Sequence, residues 1–311
     1  MKYLVTGGCG FIGFHLAKTL LDRNNEVVII DNFNDFYNPE IKKQRADLLS
    51  KAIIYKEDIL NHDKLDSIFK EHNFDKVIHL AAQANVRISV DHPELYVENN
   101  IVGTFNVFEC CRKYNVKNTV FASSSSIYGN NETPFNENHH IDNKLSIYAY
   151  TKRSNELLAK IYNETYGLNI VGLRLFSVYG THGRPDLAFY IFTEAILNEK
   201  PIQIYGTGNT RRDLTHISDV VEAIILAANL VTNYEVINIG NNNPISIEEL
   251  IELISKYSGF KVNKTYQPKH NSDMDITFAD ITKAKKLLNW EPKIKIEDGI
   301  EELVLWHKTK K

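Results

Sequence analysis

Lys2-Tyr3-Leu4-Val5-Thr6-Gly7-Gly8-Cys9-Gly10-Phe11-Ile12-Gly13 opens the chain with a short apolar run that breaks into a glycine loop. Residues 2–6 read as a buried strand, and the periodicity after the loop predicts a helix from about Phe11 to Leu21. Strand, glycine loop and helix in this order are the setting in which a dinucleotide's phosphates bind. Gly7 permits a tight turn, Gly10 lets backbone approach a pyrophosphate, and Gly13 lets the helix pack close to the strand. The free N–H groups and dipole at Phe11, Ile12 and Gly13 favour the anion. The spacing is Gly-x-x-Gly-x-x-Gly rather than the commoner Gly-x-Gly-x-x-Gly, and a purely structural glycine turn is the competing reading.

Working outward, a second strand, Glu26 to Ile30, ends at Asp31, about 20 positions past the loop, where a carboxylate meets the adenosine ribose hydroxyls. The same carboxylate repels a 2′-phosphate, so NAD is expected over NADP; the bland alternative is a solvated turn. Asn32 to Leu49 is polar and aromatic, with no element assigned. A third strand, Ala52 to Lys56, leads into Asp58-Ile59, and a helix covers about His62 to Phe69. A fourth strand, Lys76 to Leu80, runs into the small residues Ala81 and Ala82, which allow close approach of a cofactor. A helix from Pro93 to Tyr114 carries Asn99 and Asn100, one of which could fix backbone beside that cofactor.

The fifth strand, Thr119 to Ser123, ends in Ser123-Ser124-Ser125-Ser126, hydroxyls at the sheet end where ligands bind in open α/β folds. A helix of about 147–166 follows, then a sixth strand, Asn169 to Leu175. The alternation argues for an α/β chain with a doubly wound parallel sheet of Rossmann type. After Phe176 the texture changes: 177–186 reads as loop, then a helix (187–197), a strand (202–205), a helix (218–230), a strand (236–239) and three further helices, one opened by a Ser246–Glu249 capping box. The expected division is 1–176 with 214–240 as the cofactor domain, and 177–213 with 241–311 as a smaller, interleaved substrate lobe.

Within the 147–166 helix, Tyr148 and Lys152 stand four residues apart, on one face and one turn from each other. A free tyrosine titrates near ~10 and is a poor base at neutral pH. An ammonium beside it stabilises the phenolate and makes proton abstraction from an alcohol feasible. Alone, such a pair is more often helix surface.

At 311 residues the chain can bury a large core, and 43% hydrophobic with 24% charged residues is ordinary for a globular protein. A net charge of -3 gives no support for nucleic-acid or membrane-surface binding. Three cysteines, Cys9, Cys110 and Cys111, show neither a disulfide framework nor metal-ligand spacing. With a strand starting at Lys2 and no apolar run near the ~20 residues of a membrane span, cytoplasm is the expected compartment.

Gly7-x-x-Gly10-x-x-Gly13, His79-Leu80-Ala81-Ala82, the serine run before Tyr128-Gly129, Tyr148-x-x-x-Lys152 and Arg212-Asp213 stand together in one order. As a set they resemble the extended short-chain dehydrogenase/reductases, the nucleotide-sugar epimerases and dehydratases, over nearly the whole chain. Asp31 to Tyr37, Gln83 to Arg87, Ser123 to Ser126 and Gly183-Arg184-Pro185-Asp186 are similar, more narrowly, to UDP-glucuronate 4-epimerases.

The resemblance implies roles residue by residue. Tyr148 would take the proton from the sugar 4-hydroxyl during hydride transfer to tightly bound NAD. Ser124 would bridge substrate and tyrosine, and Lys152 would bind the nicotinamide ribose and lower the Tyr148 pKa. Gly7, Gly10, Phe11, Ile12, Gly13, Asp31, Asn32, Asp58, Ile59, Leu80, Ala81, Ala82 and Asn99 would contact the cofactor. Arg87, Ser125, Ser126, Ser177, Arg184, Arg212 and Asp273 would contact a UDP-sugar, Arg212 at its diphosphate. The family's dehydratases carry an Asp-Glu pair where this chain has Ser125 and Ser126, so elimination of water is not expected. Ser125, Ser126, Ser177 and Arg184 could serve a glucuronate carboxylate; a surface ion pair to Asp186 is the competing role for Arg184. A neutral or N-acetylated UDP-hexose shares every catalytic residue and stays open, as does a non-catalytic NAD-binding sensor. His270-Asn271-Ser272-Asp273 departs from the family pattern, which puts a second diphosphate contact in doubt. A homodimer through the helices of 93–114 and 147–166 is implied; Phe105, Phe108, Cys110 and Cys111 fit either that interface or the core.

Overall fold

Seven strands pair in parallel around the opening strand. The computed structural model describes residues 1–116, 118–141, 146–268 and 274–310. β1 (Lys2–Thr6), β2 (Glu26–Ile30), β3 (Ile53–Tyr55), β4 (Lys76–His79), β5 (Asn118–Ser124) and β6 (Asn169–Leu175) alternate with helices. These are α1 (Phe11–Asp22), α2 (Pro39–Asp47), α3 (His62–His72), α4 (Ile88–Asp91), α5 (Pro93–Tyr96), α6 (Gly103–Lys113) and α7 (Ile147–Tyr166). After β6 come the short strands β7 (Ser177–Tyr179), β8 (Ile202–Tyr205), β9 (Arg211–Arg212) and β10 (Leu214–His216), before β11 (Tyr234–Ile239) rejoins the sheet. The order is β3-β2-β1-β4-β5-β6-β11.

The sheet is covered on both faces, which is why its strands read as nearly continuous apolar runs. Tyr3, Val5, Val27 and Ile29 enter one core, and Leu4, Val28, Ile30 and Val77 the other. β1 pairs with β2 on one side and β4 on the other, so the strand order reverses there. Such a switch point opens a crevice at the strands' carboxyl ends, where Thr6 lies level with Ile30 and His79. The remaining helices, α8 (Ala188–Leu197), α9 (Ile217–Asn229), α10 (Ile247–Ser258), α11 (Thr282–Leu288) and α12 (Ile296–Lys308), complete the chain. Small sheets join β7 to β10, β8 to β13 (Lys264–Gln267), and β9 to β12 (Ile245–Ser246) and β14 (Ile276–Thr277).

Three stretches differ from the sequence reading. The unassigned 32–49 segment contains α2, whose start is marked by Asn38: its Oδ1 accepts the Glu40 N–H at 3.0 Å, with Pro39 in the first turn. The expected loop 177–186 begins as β7, paired with β10. The predicted 93–114 helix runs as α5, a π-helical segment at Val97–Val102, and α6. The Ser246–Glu249 capping box is present.

What fixes α7 against the sheet is a buried ion pair. Arg174 on β6 donates from Nε and Nη2 to the two carboxylate oxygens of Glu156, each at 2.9 Å. Ser123 donates to Glu156 at 2.6 Å, and Arg174 Nη1 donates to the Tyr128 hydroxyl at 2.9 Å. Glu156 lies one turn beyond Lys152, so this fork sets the rotation and depth of the helix that carries Tyr148. Removing one member strands the other as a buried charge, at a cost of about 3–5 kcal/mol. Glu156→Ala is therefore expected to lower the unfolding free energy by about that much in denaturant titration. A loss below about 1 kcal/mol, the range of exposed pairs, would contradict the anchor role.

Candidate active site

The cofactor half of the crevice is built by backbone. Gly7 has φ +69°, and a Cβ there would lie 2.8 Å from the Ala81 nitrogen, so the loop is pressed against the segment leaving β4. A Cβ on Gly13 would overlap the Gly7 carbonyl. Gly10 is the N-cap of α1 and supplies no side-chain cap, so the first-turn N–H groups of Phe11, Ile12 and Gly13 are left for an outside acceptor. An uncapped helix start above glycines that admit no side chain fits a pyrophosphate.

Asp31 is buried at the end of β2 and already engaged: Oδ2 accepts the Cys9 N–H at 3.0 Å and Oδ1 the Phe33 N–H at 2.9 Å. It is thus a brace for the glycine loop as well as the expected ribose ligand. Asn32 donates to Asp58 at 2.8 Å, and Ile59 is buried against Gly103. Leu80 and Ala81 are held by Thr6, through its carbonyl at 3.1 Å and its hydroxyl at 3.2 Å; Ala82 follows, half-buried. Of the two asparagines, Asn100 does the backbone-fixing: Oδ1 accepts the Gln83 N–H at 2.7 Å, and Nδ2 donates to the Gln83 carbonyl and the Thr151 hydroxyl, both at 3.0 Å. Asn99, the expected contact, is half-buried and gives its Nδ2 to the Leu95 carbonyl at 2.9 Å. Adjacent side chains leave any helix in different directions, so Asn99 and Asn100 take different partners.

The acid–base residues converge at the end of β5. Ser146 caps α7 by accepting the Ala149 N–H at 3.1 Å, fixing the first turn that holds Tyr148. Lys152 is buried, donates to the Ala122 carbonyl at 2.8 Å, and lies 6.0 Å from the Tyr148 ring centroid. Burial pushes Lys152 down to about 8. Tyr148 is displaced upward, opposite to the expected lowering: burial raises it, opposed by a hydrogen bond to Ser124 and by the Arg184 charge. The lysine's own attachment to a backbone carbonyl places its charge beside the ring rather than at the hydroxyl.

The serines divide their work. Ser123 serves the Glu156 anchor, whereas Ser124 faces the site and accepts from the Ser126 hydroxyl at 2.9 Å. Ser125 is half-buried in the same 3-10 turn, and Ser177, at the start of β7, is exposed. Arg184 forms a bidentate pair with Asp186, at 3.0 and 2.6 Å, over the Phe36 ring. The pairing considered for a surface role is present, yet the Arg184 side chain is only 21% exposed and its charge acts on Tyr148. Arg87 lies 5.5 Å from the Tyr205 ring centroid, and Arg212 donates to the Arg211 and Met274 carbonyls at 2.9 Å. Asp273 and His270 fall outside the described residues.

Several contributors escaped the sequence reading. Tyr96 donates to the Ala84 and Asn85 carbonyls at 2.5 and 2.8 Å and meets Tyr148 edge-on. His79, present in the His79-Leu80-Ala81-Ala82 motif but given no role there, is held neutral, pushed down to about 3 by burial beside the Lys152 charge, and bridges Thr6 and Thr104. Lys42 and Arg45 are both buried and come from α2. The Asn-Pro-Glu start of that helix was the available signal; its weakly apolar face hid the rest.

A doubly wound sheet, a phosphate-ready glycine loop and a Tyr–Lys–Ser cluster at the strand ends define a nucleotide-dependent enzyme that moves a proton at an alcohol. The comparisons narrow this. Residues 4–303 match the family model described as GDP-mannose 4,6 dehydratase. A UDP-glucuronate 4-epimerase from Thermodesulfobacterium geofontis is 44% identical over 310 residues, covering 98% of this chain and 96% of that protein. The structure of a UDP-glucuronic acid 4-epimerase from Bacillus cereus, in complex with UDP-glucuronic acid and NAD, superposes with TM-score 0.94 at 36% identity, covering all of both chains. A UDP-glucose 4-epimerase from Thermotoga maritima, with UDP-glucose, gives TM-score 0.92 at 33% identity, covering 100% of this chain and 99% of that one. The chain belongs to this family, the extended short-chain dehydrogenase/reductases, among its NAD-dependent UDP-sugar 4-epimerases.

The site geometry generates a prediction about the base. Tyr148→Phe is expected to reduce kcat by about 10²–10⁴-fold with the NAD content of the purified protein unchanged. Lys152→Met is expected to move the pH at which kcat levels off upward, because a phenolate without a neighbouring cation forms only at higher pH. An unchanged pH profile, measured from pH 6 to 10, would remove Lys152 from the proton transfer.

Proposed function

We propose that the protein interconverts UDP-glucuronate and UDP-galacturonate by inversion at C4, with NAD bound throughout. The observation that carries the choice of sugar is Arg184, a mostly buried side chain whose charge acts on Tyr148 and which lies on the loop leaving β7. A carboxylate on the sugar ring needs such a donor, and a planar fork suits it.

NAD, when held by the glycine loop and Asp31, would supply the reversible hydride acceptor for C4. Tyr148 accepts the 4-hydroxyl proton, with Ser124 bridging substrate and phenol, and gives the proton back after the 4-keto sugar has turned over. Lys152 stays charged near neutral pH, with about 8 as its upper limit, and supports the phenolate. Ser125 and Ser126 supply hydroxyls and no acid or base, so the chemistry stops short of eliminating water. The 4-keto form of glucuronate is a β-keto acid, which loses CO₂ when its carboxylate bond aligns with the carbonyl π-system. Ser125, Ser126, Ser177 and Arg184 hold the carboxylate out of that alignment. In the same reading Arg212 and Arg87 serve the UDP half, and 177–213 with 241–311 form the nucleotide-sugar lobe on a cofactor domain of 1–176 with 214–240.

A neutral UDP-hexose is the second reading, and one observation favours it: Asp186 already neutralises Arg184, leaving no net positive charge at that wall. Homodimerisation belongs to the proposal as well. Leu95, Val102 and Phe105 on one helical stretch, and Tyr150, Leu157 and Ile161 on α7, are all exposed by 41–53%. Two such faces on adjoining helices form an apolar patch that a second copy would cover. Phe108, Cys110 and Cys111 are buried in the core and take no part. No helix among the described residues is long and apolar enough to cross a membrane, and a cytoplasmic setting, where UDP-sugars are made, fits this reading.

Purified protein given UDP-glucuronate without added reductant is expected to form UDP-galacturonate, resolved by chromatography, with little release of CO₂. Arg184→Ala is expected to raise KM for UDP-glucuronate about tenfold or more, one lost charge-assisted contact being worth at least ~1.4 kcal/mol. An unchanged KM, or turnover of UDP-glucose and UDP-N-acetylglucosamine alone, would refute the carboxylate pocket and keep the epimerase chemistry. Leu157→Glu with Ile161→Lys is expected to halve the mass measured by sedimentation, whereas equal masses would leave the apolar faces without that role.

A further inference from the structure

Arg45 is 1% exposed, and no carboxylate is its hydrogen-bond partner among the described residues. Burying a guanidinium without a counter-ion is expensive, so its placement calls for an account. Four acceptors surround it. Nη1 donates to the Cys9 carbonyl of the glycine loop at 3.1 Å and to the Tyr37 hydroxyl at 2.7 Å. Nη2 donates to the carbonyls of His182 and Gly183 at 2.8 and 3.2 Å. Nε has no partner among the described residues, so the fork is committed to these two sides.

Gly183 immediately precedes Arg184. The same loop is tied a second time by His15 on α1, whose Nε2 meets the Thr181 carbonyl at 2.8 Å, and His182 packs 4.7 Å from the Phe14 ring. The loop that carries Arg184 therefore rests on the helix and glycine loop of the cofactor side. Only a planar fork reaches both at once; a lysine ammonium satisfies one side or the other.

We propose that Arg45 is a positioning residue for sugar selectivity: it rivets the cofactor's glycine loop to the 181–184 loop and so sets Arg184 at the sugar's carboxylate. It touches neither substrate nor cofactor and acts through Arg184. The inference rests on the glucuronate reading above, and the test separates the two.

The test is a double-mutant cycle on the NAD-loaded protein with Arg45→Lys, which keeps the charge and one side of the clamp, and Arg184→Ala. KM and kcat for UDP-glucuronate and the Kd for UDP alone are measured for each. Arg45→Lys is expected to raise KM for UDP-glucuronate about tenfold while the Kd for UDP stays within about twofold. In the Arg184→Ala background the same change is expected to add less than about twofold, because residues acting as one unit are not additive. Equal losses in both backgrounds, or weakening of UDP and UDP-glucuronate alike, would make Arg45 a general structural support and overturn the proposal. If Arg45→Lys leaves KM unchanged while Arg184→Ala raises it, the rivet fails and the glucuronate reading stands. If Arg184→Ala leaves KM unchanged, the glucuronate reading falls and the rivet with it. Should Arg45→Lys not fold, Tyr37→Phe, which removes one of the four acceptors, is expected to raise KM in the same direction by about threefold, and no rise would overturn the proposal.

Discussion

The buried fork between Arg174 and Glu156 is the constraint on which the site depends. Tyr148 and Lys152 are useful only if α7 lies at one depth and one rotation against the end of β5, and a helix packed by apolar contacts alone can slide or roll. A bidentate ion pair with a defined geometry admits one arrangement. Ser123 and Tyr128 complete its hydrogen bonds, so the pair is satisfied on several sides rather than left as an isolated buried charge. The serine run is thereby split between two tasks: Ser123 holds the helix, and Ser124, the next residue with its side chain on the other face of the strand, is free to meet Tyr148.

Around that anchor the crevice is assembled mostly by side chains holding backbone. Thr6 fixes the Leu80–Ala81 segment, Asn100 fixes Gln83, Tyr96 fixes Ala84 and Asn85, and Asp31 fixes Cys9. The crevice there is walled by main chain and small residues, while polar side chains work one layer behind. Burial tunes the two titrating residues in opposite senses, raising Tyr148 and lowering Lys152. Both shifts disfavour charge.

Most of the frame was legible in the sequence. The strands from Lys2, Glu26 and Asn169 and the α7 helix follow from apolar runs bounded by glycine and Asp31. The glycine loop, Asp31, Ser124, Tyr148 and Lys152 could be named because each stands in a motif with a fixed neighbour. What escaped depends on contacts far apart in the chain, as with Arg45 meeting His182 and Gly183. Asn99 and Asn100 stand side by side in the chain, and which of them meets Gln83 depends on tertiary packing that no apolar pattern reveals. α2 was passed over because its residues are mainly polar, and its buried side chains, Lys42 and Arg45, look like surface in a sequence.

In the proposed reaction the C4 hydrogen leaves and returns within one site while Tyr148 handles the proton. UDP-glucuronate deuterated at C4 is converted in ordinary water, and the product is read by mass spectrometry and proton NMR. UDP-galacturonate that keeps the deuterium at C4 is expected. Replacement of that deuterium by solvent hydrogen, or inversion at any carbon other than C4, would contradict the proposed reaction.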